Sequence, residues 1–505
     1  MKIKAFFLMS VALGAFACTD LKETLNEDLT KDVAEEYLNS KADVSSLLRG
    51  CYEGLRVFDT QDLIWAAQQH TTDETLGPTR GGDWDDNGIW RVLHDHTWTP
   101  DHAFLANTFN NLLQTVFATT NLLTFDASAQ QKAEARFIRA YVMYTIADGW
   151  GQVPFRQPGD NLLNPPTVLK GGEAVDFVIS ELTSIINDLP DGPARVANKN
   201  AARGLLVRCY LNKGTFASRE NPQFPAGDMD KVIEYADQII NSGQYSLANN
   251  YFDNFAPKND QISTENIFTG FNRGGESSGN IRSRWFCTLH YNQNPSGWNG
   301  FTTLSDFYDS FEAGDSRRGG DYAGQTNVSG IKTGLLVGQQ FDQNGTALLD
   351  RKGNPLSYTR EVKAVETGNN LEVTGIRVIK YPIDYASGDN ADNDMVLIRY
   401  ADILLMKAEA HLRKGDVAGA TAFVNQVRTK RGASALSSVN LDQMLAERGR
   451  EFYWEAMRRS DLIRFGKFLN AWQEKPASGS ERLLFPIPAA ALAVNPNLEQ
   501  NPGYR

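Results

Sequence analysis

The chain has 505 residues, 41% apolar and 22% charged, a globular composition that excludes collagenous, coiled-coil and disordered classes. Its 61 acidic and 50 basic residues give a formal net charge of −11, leaving no basic excess to neutralise phosphates, so no nucleic-acid partner is expected. Four cysteines, at 18, 51, 209 and 287, form no C-x-x-C pair, which excludes a zinc ribbon or a dense disulfide framework.

At the N-terminus Lys2 and Lys4 precede an apolar stretch from Ala5 to Ala17. That stretch falls short of the ~20 residues a membrane span needs, so residues 1–17 read as a secretory signal. Ala15-Phe16-Ala17 suits cleavage, and the next residue is Cys18, as in a bacterial lipobox, although such boxes favour Leu where Ala15 stands. The mature chain is expected to start at a lipidated Cys18, since dual acylation gives stable anchoring. Ordinary signal-peptidase cleavage is the alternative. TDLKETLNED then reads as a solvated tether.

Helical periodicity follows. KAEARFIRAYVMYTIADGWG places Phe137, Tyr141, Tyr144 and Asp148 near one face, with Gly149 and Gly151 as stop signals. Residues 173–189 repeat the pattern, and 201–214 with 228–242 form a pair around RENPQFPAGD. The middle of the chain differs. ENIFTGF and IRVIKYPI look like strands, FDQNGTALLDRKGNPLSYT carries two hairpin turns at Asn344-Gly345 and Lys352-Gly353, and 384–394 is a polar loop. At 399–432 a helix pair turns at Lys414-Gly415-Asp416, with small Ala408 and Ala420 where helices approach, the geometry of a tetratricopeptide repeat. One further helix is expected over 441–469, with Leu445, Phe452, Ala456 and Ile463 on one stripe. The fold class is mainly α: a tetratricopeptide-like helix-pair scaffold with a loop-rich, partly β ligand-binding insertion at about 255–395.

Several segments resemble one family. They are the signal and cysteine, ARFIRAYVMYTIADGWGQVP at 135–154, GFTTLSDFYDSFEAGDSRR at 300–318, DMVLIRYADILLMKAEAHLRKGD at 394–416, ERGREFYWEAMRRSDLIRFGKF at 447–468 and the ending LFPIPAAALAVNPNLEQNPGY. Together, and in this order, they resemble the SusD/RagB outer-membrane nutrient-binding lipoproteins of the Bacteroidetes. The resemblance covers residues 18–505 and implies a surface-exposed, lipid-anchored protein at the outer membrane. It also implies a partner, a SusC-like TonB-dependent outer-membrane barrel. The implied ligand is an oligosaccharide or polysaccharide, and no catalysis and no cofactor is implied.

Six of the nine tryptophans lie in two polar, Gly-rich windows, 65–98 and 285–298. An indole on a loop offers a flat apolar plate to the C–H face of a sugar ring, and nearby polar groups take the hydroxyls. Family members place their site in equivalent loops. The expected ligand-binding residues are Trp84, Trp90, Trp285, Trp298 and Tyr291, with Asp73 and Asp85 as hydroxyl partners. The alternative is that these rings anchor long loops to the scaffold. Between Asp73 and His102 seven acids face only Arg80 and Arg91, which disfavours polyanions and points to a neutral glycan such as a β-glucan, fructan or α-glucan. A glycan hydrolase using carboxylates in this region, or a peptide-binding member of the family, are the other readings.

Three motifs carry weaker readings. Asp83-Trp84-Asp85-Asp86-Asn87-Gly88 opens like an EF-hand loop, but His94 stands where a bidentate Glu is needed. His70, His94, His96 and His102 cluster without a third ligand at a zinc spacing, so no metal is expected. Gly275 to Gly279 fits G-x-S-x-G, yet no amphipathic helix follows. Glu447, Glu451 and Glu455 fall at i, i+4, i+8 and read as structural ion pairs rather than acid/base groups, with Glu455 expected to meet Arg458 or Arg459.

Overall fold

The structure, a computed structural model, describes residues 43–277 and 279–504. The expected signal, the expected tether and Cys18, the expected site of lipidation, lie outside the described residues. The helical scaffold is built from α1 (Val44–Glu53), α2 (Ile64–Gln69), α3 (Ala103–Leu122), α4 (Ala129–Trp150), α5 (Gly171–Ile185), α6 (Lys199–Ala217), α7 (Ala226–Asn241), α8 (Tyr400–Arg413), α9 (Val417–Lys430), α10 (Leu441–Phe452) and α11 (Arg458–Arg464). From α3 to α9 each helix packs on the next, so the pairs stack as a solenoid. Among the described residues, no helix is long and apolar enough to cross a membrane.

Local chemistry explains where these helices begin and end. Ser128 accepts the Gln131 N–H while the Gln131 side chain returns to the Ser128 N–H, a capping box that opens α4. Gly151 closes α4 at φ 71°, a left-handed position that costs glycine nothing. Asn440 and Gln443 repeat the box at α10, and Asp416 caps α9 through the Gly419 N–H. At the α8–α9 contact Ala408, Ala410 and Ala420 are fully buried, which lets the two backbones approach.

The strands are short. β1 (Gln152–Phe155) pairs antiparallel with β2 (Thr167–Lys170). β3 (Asn266–Gly270) pairs antiparallel with β7 (Met395–Arg399), which runs directly into α8. β5 (Thr333–Leu336) lies between β4 (Gly319–Gly320) and β6 (Arg377–Ile379). Gly204 of α6 sits on β7; a Cβ there would stand 2.9 Å from the Ile398 side chain. The hairpin region expected near 341–358 is a three-segment meander. Gln340 N–H donates to Leu356 O, Leu356 N–H to Leu348 O, and Leu348 N–H to Gln340 O.

The single helix expected over 441–469 is two, α10 and α11, separated by a break at 453–457. Trp454 and Ala456 are left-handed, at φ 61° and 59°. Distant side chains take the released donors: Glu74 accepts the Trp454 N–H and Gln69 the Ala456 N–H. The break also changes the glutamate pattern. Glu447, Glu451 and Glu455 are all buried ion-pair partners, but Glu455 lies beyond α10 and does not meet Arg458 or Arg459. It pairs instead with Arg399 at 2.8 Å and Lys380 at 2.9 Å. Glu451 contacts Arg317, Arg399 and Arg431 at 3.0, 2.7 and 2.9 Å. Glu447 meets Arg317 and Arg428 at 2.7 Å each.

Candidate functional site: an aromatic hollow

The loop before α3 is pinned to the scaffold by its histidines. His94 lies between the carbonyls of Thr75 and Gln473, 3.1 Å from each, and His96 bridges Thr71 O and the Ser478 hydroxyl. Burial, the main cause, lowers their pKa values to about 4 and about 2, so both imidazoles are neutral, and His94, with one N–H, donates to only one of its two carbonyls. On this base the 83–88 loop turns sharply. Trp84, Asp86 and Asn87 have φ of 61°, 41° and 54°, conformations costing on the order of 1 kcal/mol each outside glycine. That backbone lays the Trp84 ring over Gly300, where a Cβ would stand 2.3 Å from the indole. The Trp84 indole N–H donates to Trp298 O at 2.8 Å, and the Trp298 N–H donates to Phe286 O at 2.7 Å. Two loops distant in sequence are thereby interlocked.

The result is an open hollow of about 410 Å³ lined by Gln61, Asp83, Trp84, Asp86, Trp90, Tyr291 and Trp298. The indoles of Trp84 and Trp298 stand 6.5 Å apart at 51°. Trp298 is 44% exposed, Trp84 is half-buried, and Trp90, 4% exposed, forms the floor against Trp84 at 5.8 Å. Beneath the floor lie Phe301 and His70, at 4.8 and 5.0 Å from Trp90. Asp86 accepts the Trp90 indole N–H at 2.9 Å, and Asp83 accepts the Tyr291 hydroxyl at 3.1 Å. Partial burial, then Asp83, raises the Tyr291 pKa, so its phenol stays protonated and donates.

The structure brings together four of the expected site residues: Trp84, Trp90, Trp298 and Tyr291. It places three elsewhere. Trp285 is 2% exposed and belongs to the interior, because the turn at Ser283–Phe286 directs it inward. Asp73 forms a two-pronged pair with Arg458, 2.7 Å on each prong, at the start of α11. Asp85 pairs with Arg91 at 2.8 Å beside the hollow rather than lining it. Trp65 and Trp98, from the same window, are core residues. Asp83 and Asp86 line the hollow instead; the D-x-D-x-N-G pattern marked Asp83, but for calcium, and Asp86 stood at one of its variable positions. Their hydrogen-bond partners are Tyr291 and Trp90, and among the described residues no group of three metal-ligating side chains converges. Gln61 carried no signal in the sequence. Ser277 of the G-x-S-x-G pattern bridges Arg273 and accepts from Arg56, so it sits in a backbone bridge and not on a strand-to-helix elbow.

A second open hollow, of about 310 Å³, lies between α3 and the loop after β1. Phe117 and Leu162 are exposed there, but the charged groups serve the loop itself: Arg156 donates to the carbonyls of Asn161 and Leu162, and Asp160 accepts the Gln157 N–H.

A helix-pair solenoid carrying aromatic plates and carboxylates around an open hollow defines a class of small-ligand-binding proteins on repeat scaffolds. The SusD family model matches residues 243–480. The starch-binding protein SusD of Bacteroides thetaiotaomicron is 26% identical over 432 residues, covering 76% of this chain and 75% of that protein. Surface glycan-binding protein A from Bacteroides thetaiotaomicron, solved in complex with laminarihexaose, has a TM-score of 0.66 at 18% identity, covering 91% of this chain and 98% of that one. A SusD-like protein from Bacteroides fragilis has a TM-score of 0.70 at 18% identity, covering 95% and 100%. Along most of its length the chain is thus similar to proteins of the SusD family.

Proposed function

We propose that this protein captures a neutral oligosaccharide or polysaccharide in the aromatic hollow, is held at the outer-membrane surface through a lipidated Cys18, and delivers the glycan to a TonB-dependent outer-membrane barrel. It performs no chemistry on the glycan. One observation carries the reading: Trp84, Trp90, Trp298 and Tyr291 converge around one open space that Asp83 and Asp86 also line. Tilted indoles suit the apolar faces of successive sugar rings, and carboxylates accept paired hydroxyls. The same carboxylates repel a polyanion. The relatives named for starch binding and solved with laminarihexaose support a glycan, and specifically an uncharged one.

Calorimetric titration with β-1,3-glucan, α-1,4-glucan and fructan oligosaccharides, beside alginate and a sulfated glycan, tests this. At least one neutral glycan binds, and Trp298→Ala weakens it at least ten-fold, the loss of one stacked aromatic contact with its burial. Phe117→Ser, in the other hollow, leaves binding unchanged. Binding of an anionic polymer alone, or release of shorter sugars from the bound glycan, overturns the proposal.

A further inference from the structure

The loop after β5 contains an eight-residue repeat whose second turn projects a cation at the aromatic hollow. Gln340, Leu348 and Leu356, at matching places in three successive segments, close the backbone circuit described above. The two turns between these segments are built alike. Asp342 Oδ1 accepts the N–H groups of Asn344 and Thr346, and Asp350 Oδ1 those of Lys352 and Asn354. Asn292, next to Tyr291, donates to Leu349 O at 2.9 Å, so the second turn is fastened beside the hollow.

Arg351 occupies that turn. Its guanidinium lies over the Tyr291 ring, 3.9 Å from the ring centre. Nε donates to Glu372 Oε1 at 2.7 Å, and Nη2 stands 3.5 Å from Asp83 Oδ2, the oxygen that also accepts the Tyr291 hydroxyl. Glu372 is itself fixed by the Arg351 N–H at 3.2 Å and by His290 at 3.0 Å. Tyr291 and Asp83 line the hollow, whereas Arg351 does not. The cation thus stacks on Tyr291 from outside the lining of the hollow and stands within ion-pair distance of the carboxylate beside it.

We propose that Arg351 is a positioning residue for ligand capture: it fixes the Tyr291 plate and the Asp83 carboxylate together, and leaves one ring face open to the ligand. This rests on the hollow being the glycan site. Asp83 sits on an exposed loop next to left-handed Trp84. Without the guanidinium, both groups would have to be ordered by the ligand, and that entropy would be subtracted from affinity. A planar, two-pronged donor suits the task better than a lysine, which can lie over the ring but cannot hold Glu372 and Asp83 at once.

The test uses the tightest-binding neutral oligosaccharide of the panel above as probe, with titration calorimetry and thermal melts of each variant. Arg351→Ala weakens binding five- to twenty-fold while the melting temperature stays near wild type, and Arg351→Lys recovers part of the loss. In a Tyr291→Ala background Arg351→Ala costs less than it does alone, because the part of its effect that passes through that ring is gone. Glu372→Gln, which loosens the guanidinium, weakens binding two- to five-fold. Wild-type affinity in Arg351→Ala, with Trp298→Ala still losing ten-fold, overturns this inference alone, as does an undiminished effect in the Tyr291→Ala background. If no glycan binds, or Trp298→Ala binds like wild type, the reading of the hollow falls and this inference with it.

Discussion

His70 lies fully buried below the aromatic floor, against Trp65, Trp90 and Phe301, and neither ring nitrogen has a hydrogen-bond partner among the described residues. Burial first, then His94 and Arg284, lowers its pKa to about 3. The unfolded imidazole takes up a proton near pH 6.5 and the folded one does not. Its contribution to stability is thus complete above pH 6.5 and declines as pH falls from 6.5 toward 3. His70→Leu removes this liability, while His94 and His96 titrate alike in both proteins. Urea unfolding at pH 7.5 and 5.5 should show the variant gaining about 1.4 kcal/mol on wild type between those pH values. A difference that stays constant with pH would show that the imidazole protonates in place, and that the floor tolerates a charge.

At the scale of elements, the site is the interlock of the 83–90 and 285–300 loops, and Gly300 is where they touch. Gly300→Ala forces the Trp84 ring off its seat, with a Cβ 2.3 Å from two indole atoms, and strains its bond to Trp298 O. Both loops lie outside the helix stack, so glycan affinity should fall at least ten-fold while far-UV dichroism keeps its wild-type spectrum. Retained affinity would mean that the Trp84 plate does not contact the ligand. These loops also show what the linear sequence exposes. The helices from α4 to α9 were legible because period and stop signals are local, as at Gly151. The break after α10 was not legible, because the groups that take the Trp454 and Ala456 donors come from Glu74 and Gln69, 380 and 387 positions away. The two tryptophan windows marked the hollow, but nothing in them separates Trp298 from Trp285. Both stand among Gly, Asn and Ser, and only the turn at Ser283–Phe286 turns one inward. Arg351 carried no signal, because it meets Tyr291 and Asp83 only once the meander is folded.

At the scale of the molecule, the buried ion-pair network decides whether the lobe and the solenoid unfold together. Glu451 of α10 receives Arg317 from the turn before β4, Arg399 from the end of β7 and Arg431 from the end of α9. Glu265, just before β3, meets Arg399 and Arg431 at 3.2 and 2.6 Å. Burial alone would raise the Glu451 pKa, yet Arg431, Arg399 and Arg317 hold it well below the usual carboxylate range. Removing such a centre leaves buried cations uncompensated, a loss of about 3–5 kcal/mol. Because those cations belong to both the solenoid and the strand-bearing lobe, the loss falls on both. Glu451→Ala should therefore shift the urea transition seen by helix dichroism and that seen by tryptophan fluorescence by the same amount, with the two curves superimposed in each protein. A saturating neutral glycan, bound in the hollow, should move both curves back together, by about 2.7 kcal/mol at a hundred times its dissociation constant. Were fluorescence alone to shift, the loops would be a separately folding layer, and ligand binding would order the lobe without steadying the helices beneath it.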